Sequence, residues 1–163
     1  MTTGKKKAKV FNPENTLKQK VGTGGFNTED IEKAQGALDN NDVDFAPEAR
    51  SLLEELGKAT KKLADSKTPK NDMPDVLYPI LQLKAQGGMF NYPAISVISA
   101  DIMLFLEDVE DFDADLTKIL ESFHQSVKVL LDLSIKEADD KVAIQLQTEF
   151  KAVCERYLKK RNL

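Results

Sequence analysis

Apolar residues recur at intervals of three and four along most of the chain, and this spacing limits the possible folds more than any other feature. Leu52, Leu56, Ala59 and Leu63 follow this interval after Pro47. Residues three and four apart share one face of a helix, so the run predicts a long amphipathic helix. A proline suits its first turn, where the missing N–H leaves no hydrogen bond unmade. No stretch alternates apolar and polar residues as a half-buried strand does. The sequence therefore predicts an all-α protein.

The same reasoning predicts further helices before and after this one. Asn27 can cap a short first helix, and Pro74 and Pro93 suit the first turns of the third and fourth. Gly87 and Gly88 are expected to end or loosen the third helix. The apolar stripes of these helices are buried most simply in an antiparallel four-helix bundle, to which an extra short N-terminal helix is added. The first short helix is predicted at about residues 27–38 and the third at about 74–86. The apolar stripes of the last three helices lie at residues 95–106, 116–131 and 146–157, and Lys159, Lys160 and Arg161 are expected at the end of the last one.

Basic residues are concentrated at the N-terminus of an otherwise acidic chain. Residues 1–20 hold six Lys and one Glu, whereas residues 21–163 hold 17 basic and 26 acidic residues. We expect residues 1–25 to be a disordered basic arm and residues 26–163 to be one helical bundle domain. Because an acidic domain repels phosphate backbones, nucleic acid is not the expected partner.

Composition argues against several other classes of protein. Charged residues interrupt every apolar stretch well before the roughly 20 residues of a membrane span. The N-terminus lacks the apolar segment of a secretory signal, so a cytoplasmic location is expected. The only cysteine, Cys154, and the only histidine, His124, exclude an intrachain disulfide and a Cys/His zinc site. We expect no cofactor, no bound metal and no membrane association.

Residues 81–91, Leu-Gln-Leu-Lys-Ala-Gln-Gly-Gly-Met-Phe-Asn, place small residues inside a strong helical pattern. This segment resembles the signature of histidine-containing phosphotransfer (HPt) domains of two-component signalling, in which a histidine and any residue precede Leu-Lys-Gly, small residues and a Phe-Gly pair. Leu83 and Lys84 match the signature, and Ala85 replaces its glycine by another small residue. The resemblance implies an HPt-like bundle core at about residues 47–135, extended by a C-terminal helix.

Leu81 stands where the family has its phosphoacceptor histidine, and leucine has no nitrogen to carry a phosphoryl group. The resemblance therefore implies a non-enzymatic protein that keeps a docking surface without phosphotransfer. Small side chains at Ala85 and Gly88 allow a partner to approach, and Lys84 can face an acidic pocket. With Gln82, these residues form the expected partner-binding site. The expected partner is a response-regulator receiver domain or a histidine kinase, which the protein would modulate in a phosphorelay.

Two further departures from the signature concern the backbone near this site. Pro79 removes one helical hydrogen bond and is expected to kink or restart the helix just before position 81. Asn91 replaces the usual glycine and changes the expected turn.

Two other interpretations stay open at the level of sequence. In one, Leu81 belongs to the core, Gly87 and Gly88 end a helix, and Lys84 is an ordinary solvated residue. In the other, the chain is a structural scaffold that self-associates through the apolar stripes of its last two helices.

The remaining chemistry-bearing residues predict structural roles. His124 lies between the stripe residues Leu120 and Val127 without small neighbours, which indicates a boundary histidine. The acidic run at residues 107–115 lacks the glycine and glutamate positions of a calcium loop, and helix capping explains it. Cys154 falls near an apolar stripe and is expected to be a small buried hydrophobe. No nucleophile and base are spaced for catalysis.

Overall fold

The computed structural model describes residues 27–39, 43–109 and 112–161, and within these ranges it contains six α-helices and no strand. The all-α prediction is therefore confirmed for the described residues, while the expected arm at residues 1–25 lies outside them. The helices are α1 (Thr28–Asp39), α2 (Ala46–Ala64), α3 (Pro69–Met89), α4 (Pro93–Glu107), α5 (Ala114–Asp132) and α6 (Lys141–Arg161).

The chain divides into two units, residues 1–36 and residues 37–163. Most of α1 belongs to the first unit. Its start is capped as predicted, because Asn27 Oδ1 accepts a hydrogen bond of 3.3 Å from the backbone N–H of Glu29.

The second unit has one continuous apolar core. Helix α2 packs against α3 and α5, α4 packs against α3 and α5, and α6 packs against α4 and α5. Each helix therefore buries one stripe between neighbours, which supplies most of the stability of helices this short. The largest fully buried side chains are Phe45, Leu56, Ile80, Leu83, Ile95, Ile98, Ile102, Leu116, Leu120, Phe123, Leu130 and Phe150.

Helix α3 is longer than the sequence predicts. It begins at Pro69 rather than Pro74 and continues through Pro79 and Gly88 to Met89, so the expected restart at Pro79 is wrong. Each internal proline removes one backbone donor. Packing compensates for this loss, because Pro79 itself is buried among the core-facing residues of the helix.

A Schellman-type turn ends α3 and directs the chain into α4. Asn91 has a φ of 59°, a left-handed conformation in which asparagine is the usual substitute for glycine. The backbone N–H of Tyr92 then bonds the carbonyl of Gly87 at 2.8 Å. The replacement of glycine at position 91 therefore preserves a tight turn.

At Gly87 the backbone of α3 lies close to the backbone at the start of α4. A Cβ atom at this position would lie 3.1 Å from Ser96 N and 3.2 Å from Tyr92 O, both of them backbone atoms. At Gly88, by contrast, an added Cβ would meet only Ser96 Oγ, at an ordinary 3.5 Å. The two glycines, adjacent in sequence, therefore have different roles.

We predict that Gly87→Ala lowers the free energy of unfolding by about 1 to 3 kcal/mol, because two backbones must separate to admit the methyl group. Gly88→Ala is the matched control. Its free energy of unfolding should stay unchanged or rise by up to about 1 kcal/mol, since alanine favours the helix. Urea unfolding followed by circular dichroism measures both, and equal values for the two variants would contradict the close approach.

An ionic cluster joins the end of α2 to the start of α3. Lys62 Nζ lies 2.7 Å from Asp72 Oδ1 and 2.8 Å from Asp75 Oδ2. Ser66 Oγ donates a hydrogen bond of 2.5 Å to Asp72. The hydrogen bonds from Lys62 and then from Ser66 hold the pKa of Asp72 below its ordinary value, and the two carboxylates raise the pKa of Lys62.

We predict that Asp72→Asn destabilises the protein at neutral pH and that the difference from wild type disappears in acid. The folded pKa of Asp72 is lower than its unfolded value of about 3.9. The contribution of the ionised Asp72 carboxylate to the free energy of unfolding is therefore complete above that pH, and it is lost as the pH falls through the folded pKa. Urea unfolding between pH 7 and pH 2 measures this, with Glu54→Gln as an exposed control on α2. A difference that persists at the acid limit would refute the assignment.

Candidate protein-binding site

Helix α3 brings together most of the residues that the sequence predicts as a partner-binding site. Leu81 is 47% exposed, and Ala85 and Gly88 are exposed on the same side of the helix. The interpretation of Leu81 as a core residue is therefore wrong. Gln82 is half-buried, and its Oε1 accepts a hydrogen bond of 2.9 Å from Gln86. Gln82 thus lies at the margin of the exposed surface.

Two further apolar residues extend this surface beyond the predicted set. Tyr78 is 56% exposed and Met89 is 54% exposed. Positions 78, 81, 85 and 88 recur at intervals of three and four, so they share one side of α3 with the following Met89. We call Tyr78, Leu81, Ala85, Gly88 and Met89 the α3 face. The same spacing was available in the sequence, but it does not tell an exposed stripe from a buried one.

The opposite side of α3 carries the buried stripe. Val76, Ile80, Leu83 and Gly87 are buried. Helix α3 is therefore apolar on two sides, and the described neighbours α2 and α4 cover only one of them. An exposed stripe of this length is typical of a surface that another molecule covers.

The α4 side of the α3 face carries Lys84. Its side chain is exposed, and its backbone carbonyl accepts a hydrogen bond of 2.7 Å from Ser96 Oγ. That bond fixes α4 beside the small residues. Because Gly88 has no side chain and Ala85 has only a methyl group, the surface beside Lys84 is flat.

The α2 side of the α3 face is an open groove of about 580 Å³, to which Tyr78 contributes one wall. Lys58 and Lys62 of α2 line the opposite wall. Lys62 is engaged by two carboxylates, whereas Lys58 and Lys84 form no ion pair with any residue that the structure describes. Glu55 and Asp75 line the same groove, so its two lysines are balanced by two carboxylates. The uncompensated positive charge beside the α3 face is that of Lys84, which suits a partner whose contact surface is apolar and acidic.

His124 lies away from the α3 face, on α5. It is half-buried beside α2, where a Cβ atom at Gly57 would lie 3.7 Å from its Nε2. The prediction of a boundary histidine is confirmed.

Cys154 and the acidic run also have the predicted structural roles. Cys154 is 7% exposed, and burial is the main cause that raises the pKa of its thiol to about 12. Asp113 caps α5, because its Oδ1 accepts a hydrogen bond of 2.8 Å from the N–H of Leu116. Glu110 and Asp111 lie outside the described residues.

No helix within the described ranges is long and apolar enough to cross a membrane. The same ranges contain no group of three or more His, Cys, Asp and Glu side chains arranged to hold a metal ion.

Comparison with known proteins adds no relative. No protein-family model matches the chain, and neither the curated proteins nor the solved structures contain a significant match to it. The resemblance to HPt domains therefore rests on residues 81–91 alone.

Proposed function

We propose that this protein is a non-catalytic, HPt-like signalling protein of the cytoplasm that binds a receiver domain or a histidine kinase through the α3 face. The observation that carries the proposal is the exposure of Leu81 together with Ala85 and Gly88 on one side of α3. In this role Leu81 is an apolar anchor at the centre of the contact. The contact is expected to be small and transient.

The contacts between helix ends support an antiparallel four-helix arrangement of α2 to α5, which this function requires. Lys62 near the end of α2 pairs with Asp72 near the start of α3. Arg50 near the start of α2 pairs with Asp132 at the end of α5, at 2.7 Å. In an antiparallel pair, the end of one helix lies beside the start of the next.

The turns at the ends of α3 and α5 likewise support an antiparallel arrangement of α3 with α4 and of α4 with α5. The end of α3 contacts the start of α4 at Gly87. The N–H of Ala94, near the start of α4, bonds the carbonyl of Lys136, just after α5, at 2.8 Å. We infer that α2, α3, α4 and α5 form an antiparallel ring, with the α3 face on its outside.

The identity of residue 81 determines what the site does. A leucine cannot accept a phosphoryl group, so the proposed protein competes for or positions a receiver domain rather than relaying phosphate. Lys84 would face the acidic pocket of the receiver, where a positive charge is favourable.

The alternative of a self-associating scaffold has less support. It requires free apolar stripes on the last two helices, yet Phe123 and Val127 of α5 and Phe150 and Tyr157 of α6 are buried within a single chain. These stripes pack against helices of the same molecule.

We predict that Gly88→Arg abolishes binding to a receiver domain and that Lys84→Glu weakens it by about tenfold or more. The arginine fills the flat surface, and the glutamate repels the acidic pocket. Purified receiver domains and histidine kinases of the source organism are titrated by calorimetry against wild type and both variants. Lys128→Glu, an exposed site on α5, is the matched control and should bind as wild type does. If neither a receiver domain nor a histidine kinase binds wild type, or if all variants bind equally, the proposal fails.

We also predict that Leu81→His gains the chemistry that wild type lacks. The new imidazole would stand exposed on the α3 face, with Lys84 one turn away. Phosphoryl transfer is measured from a radiolabelled receiver domain that binds wild type. Label should appear on Leu81→His and be absent from wild type and from Val97→His, an exposed control on α4. Equal labelling of Leu81→His and Val97→His would contradict docking at the α3 face, because a histidine on another helix would then accept the phosphoryl group equally well.

A further inference from the structure

A cleft of about 240 Å³ lies between the start of α5 and the end of α6, far along the chain from the residues of the α3 face. Its apolar floor is formed by Ile119, Val153 and Tyr157. Its rim is basic, with Lys118 from α5 and Arg156, Lys160 and Arg161 from α6. Such a concentration of positive charge is unusual in a chain whose residues 21–163 have 26 acidic and 17 basic side chains.

The carboxylates beside this cleft are already engaged. Asp115 lies 2.9 Å from Lys160 Nζ and 3.5 Å from Lys118 Nζ, and the hydrogen bond from Lys160 is the main cause that lowers its pKa. Asp113 pairs with Arg161 and also caps α5. Four cations therefore face two carboxylates, and about two positive charges remain unbalanced.

Arg156 is the one of these four cations that has no carboxylate partner among the described residues. Arg161 is 18% exposed and stacks on the Tyr157 ring at 3.7 Å, and its Nη1 is buried without a hydrogen-bond partner among the described residues. Arg156 donates its Nε–H to the carbonyl of Ala152 at 3.1 Å and forms no ion pair with any residue that the structure describes. Arg156 is exposed at the rim, so its terminal nitrogens can donate hydrogen bonds to a bound anion.

We propose that this cleft binds a small phosphate monoester that carries an apolar or aromatic group. A phosphate monoester has a charge of about −1.5 to −2 at pH 7, which matches the unbalanced positive charge. Guanidinium groups recognise its oxygens through paired hydrogen bonds. The apolar group packs against Ile119 and Val153. The cleft is smaller than the roughly 300 Å³ or more that drug-sized ligands occupy, so a compact ligand is expected.

Phenyl phosphate is the probe, and titration of the full chain is followed by two-dimensional NMR at fixed ionic strength. Saturable shifts are expected for amides at the start of α5 and the end of α6. Inorganic phosphate should bind more weakly because it lacks the apolar group, and benzoate should bind more weakly because it carries one charge. Equal affinity for phenyl phosphate and inorganic phosphate would overturn the assignment of the apolar floor.

Arg156→Gln should weaken phenyl phosphate binding by about tenfold, the loss of one charge-assisted contact. The substitution leaves the pairs of Asp113 and Asp115 intact, so the variant should fold, and circular dichroism checks this. Lys141→Gln removes an equal charge from the other end of α6 and should bind as wild type does. The site is refuted if shifts fail to saturate, if they fall elsewhere, or if both variants lose the same affinity.

Discussion

The direct contact between the backbones of α3 and α4 at Gly87 is the constraint on which the candidate protein-binding site depends. No side chain separates the helices there, since a Cβ would lie 3.1 Å from Ser96 N. The hydrogen bond from Ser96 Oγ to the carbonyl of Lys84 fixes the same pair of helices one turn earlier. Together these contacts set the rotation of α3 about its own axis. That rotation determines which of its two apolar stripes enters the core.

The consequence of this rotation is clearest for Leu81 and Leu83, which are two residues apart on α3. Leu83 is completely buried, whereas Leu81 is 47% exposed. Both leucines fit an apolar helical stripe, so periodicity alone leaves their assignment open. The requirement that Gly87 meet a neighbouring backbone resolves it, because Leu83 lies one turn before Gly87 on the same side. The role of a glycine inside a helix thus depends on which helix packs against it, and this is known only from the structure.

The sequence predicts those features that depend on local interactions. The six helices follow from apolar spacing, the caps at Asn27 and Asp113 follow from side-chain chemistry, and the burial of Cys154 follows from its place on a stripe. The start of α3 is predicted wrongly, because Pro69 and Pro74 both suit a first helical turn and only packing makes the second one internal. The groove beside Tyr78 and the cleft beside Arg156 each combine residues from two helices. Their existence depends on tertiary packing, which spacing within one helix does not encode.

The exposed stripe on α3 is difficult to explain by the stability of the chain alone. Single exposed apolar side chains are ordinary on protein surfaces. Here Tyr78, Leu81 and Met89 are each about half exposed, and they lie on one side of one helix with only small residues between them. Polar residues at these positions would leave the buried stripe of α3 intact and would remove an exposed apolar surface that is prone to association. An apolar centre with charged residues at its margins, Lys84 on one side and Lys58 with Glu55 on the other, is instead the composition that protein interfaces share.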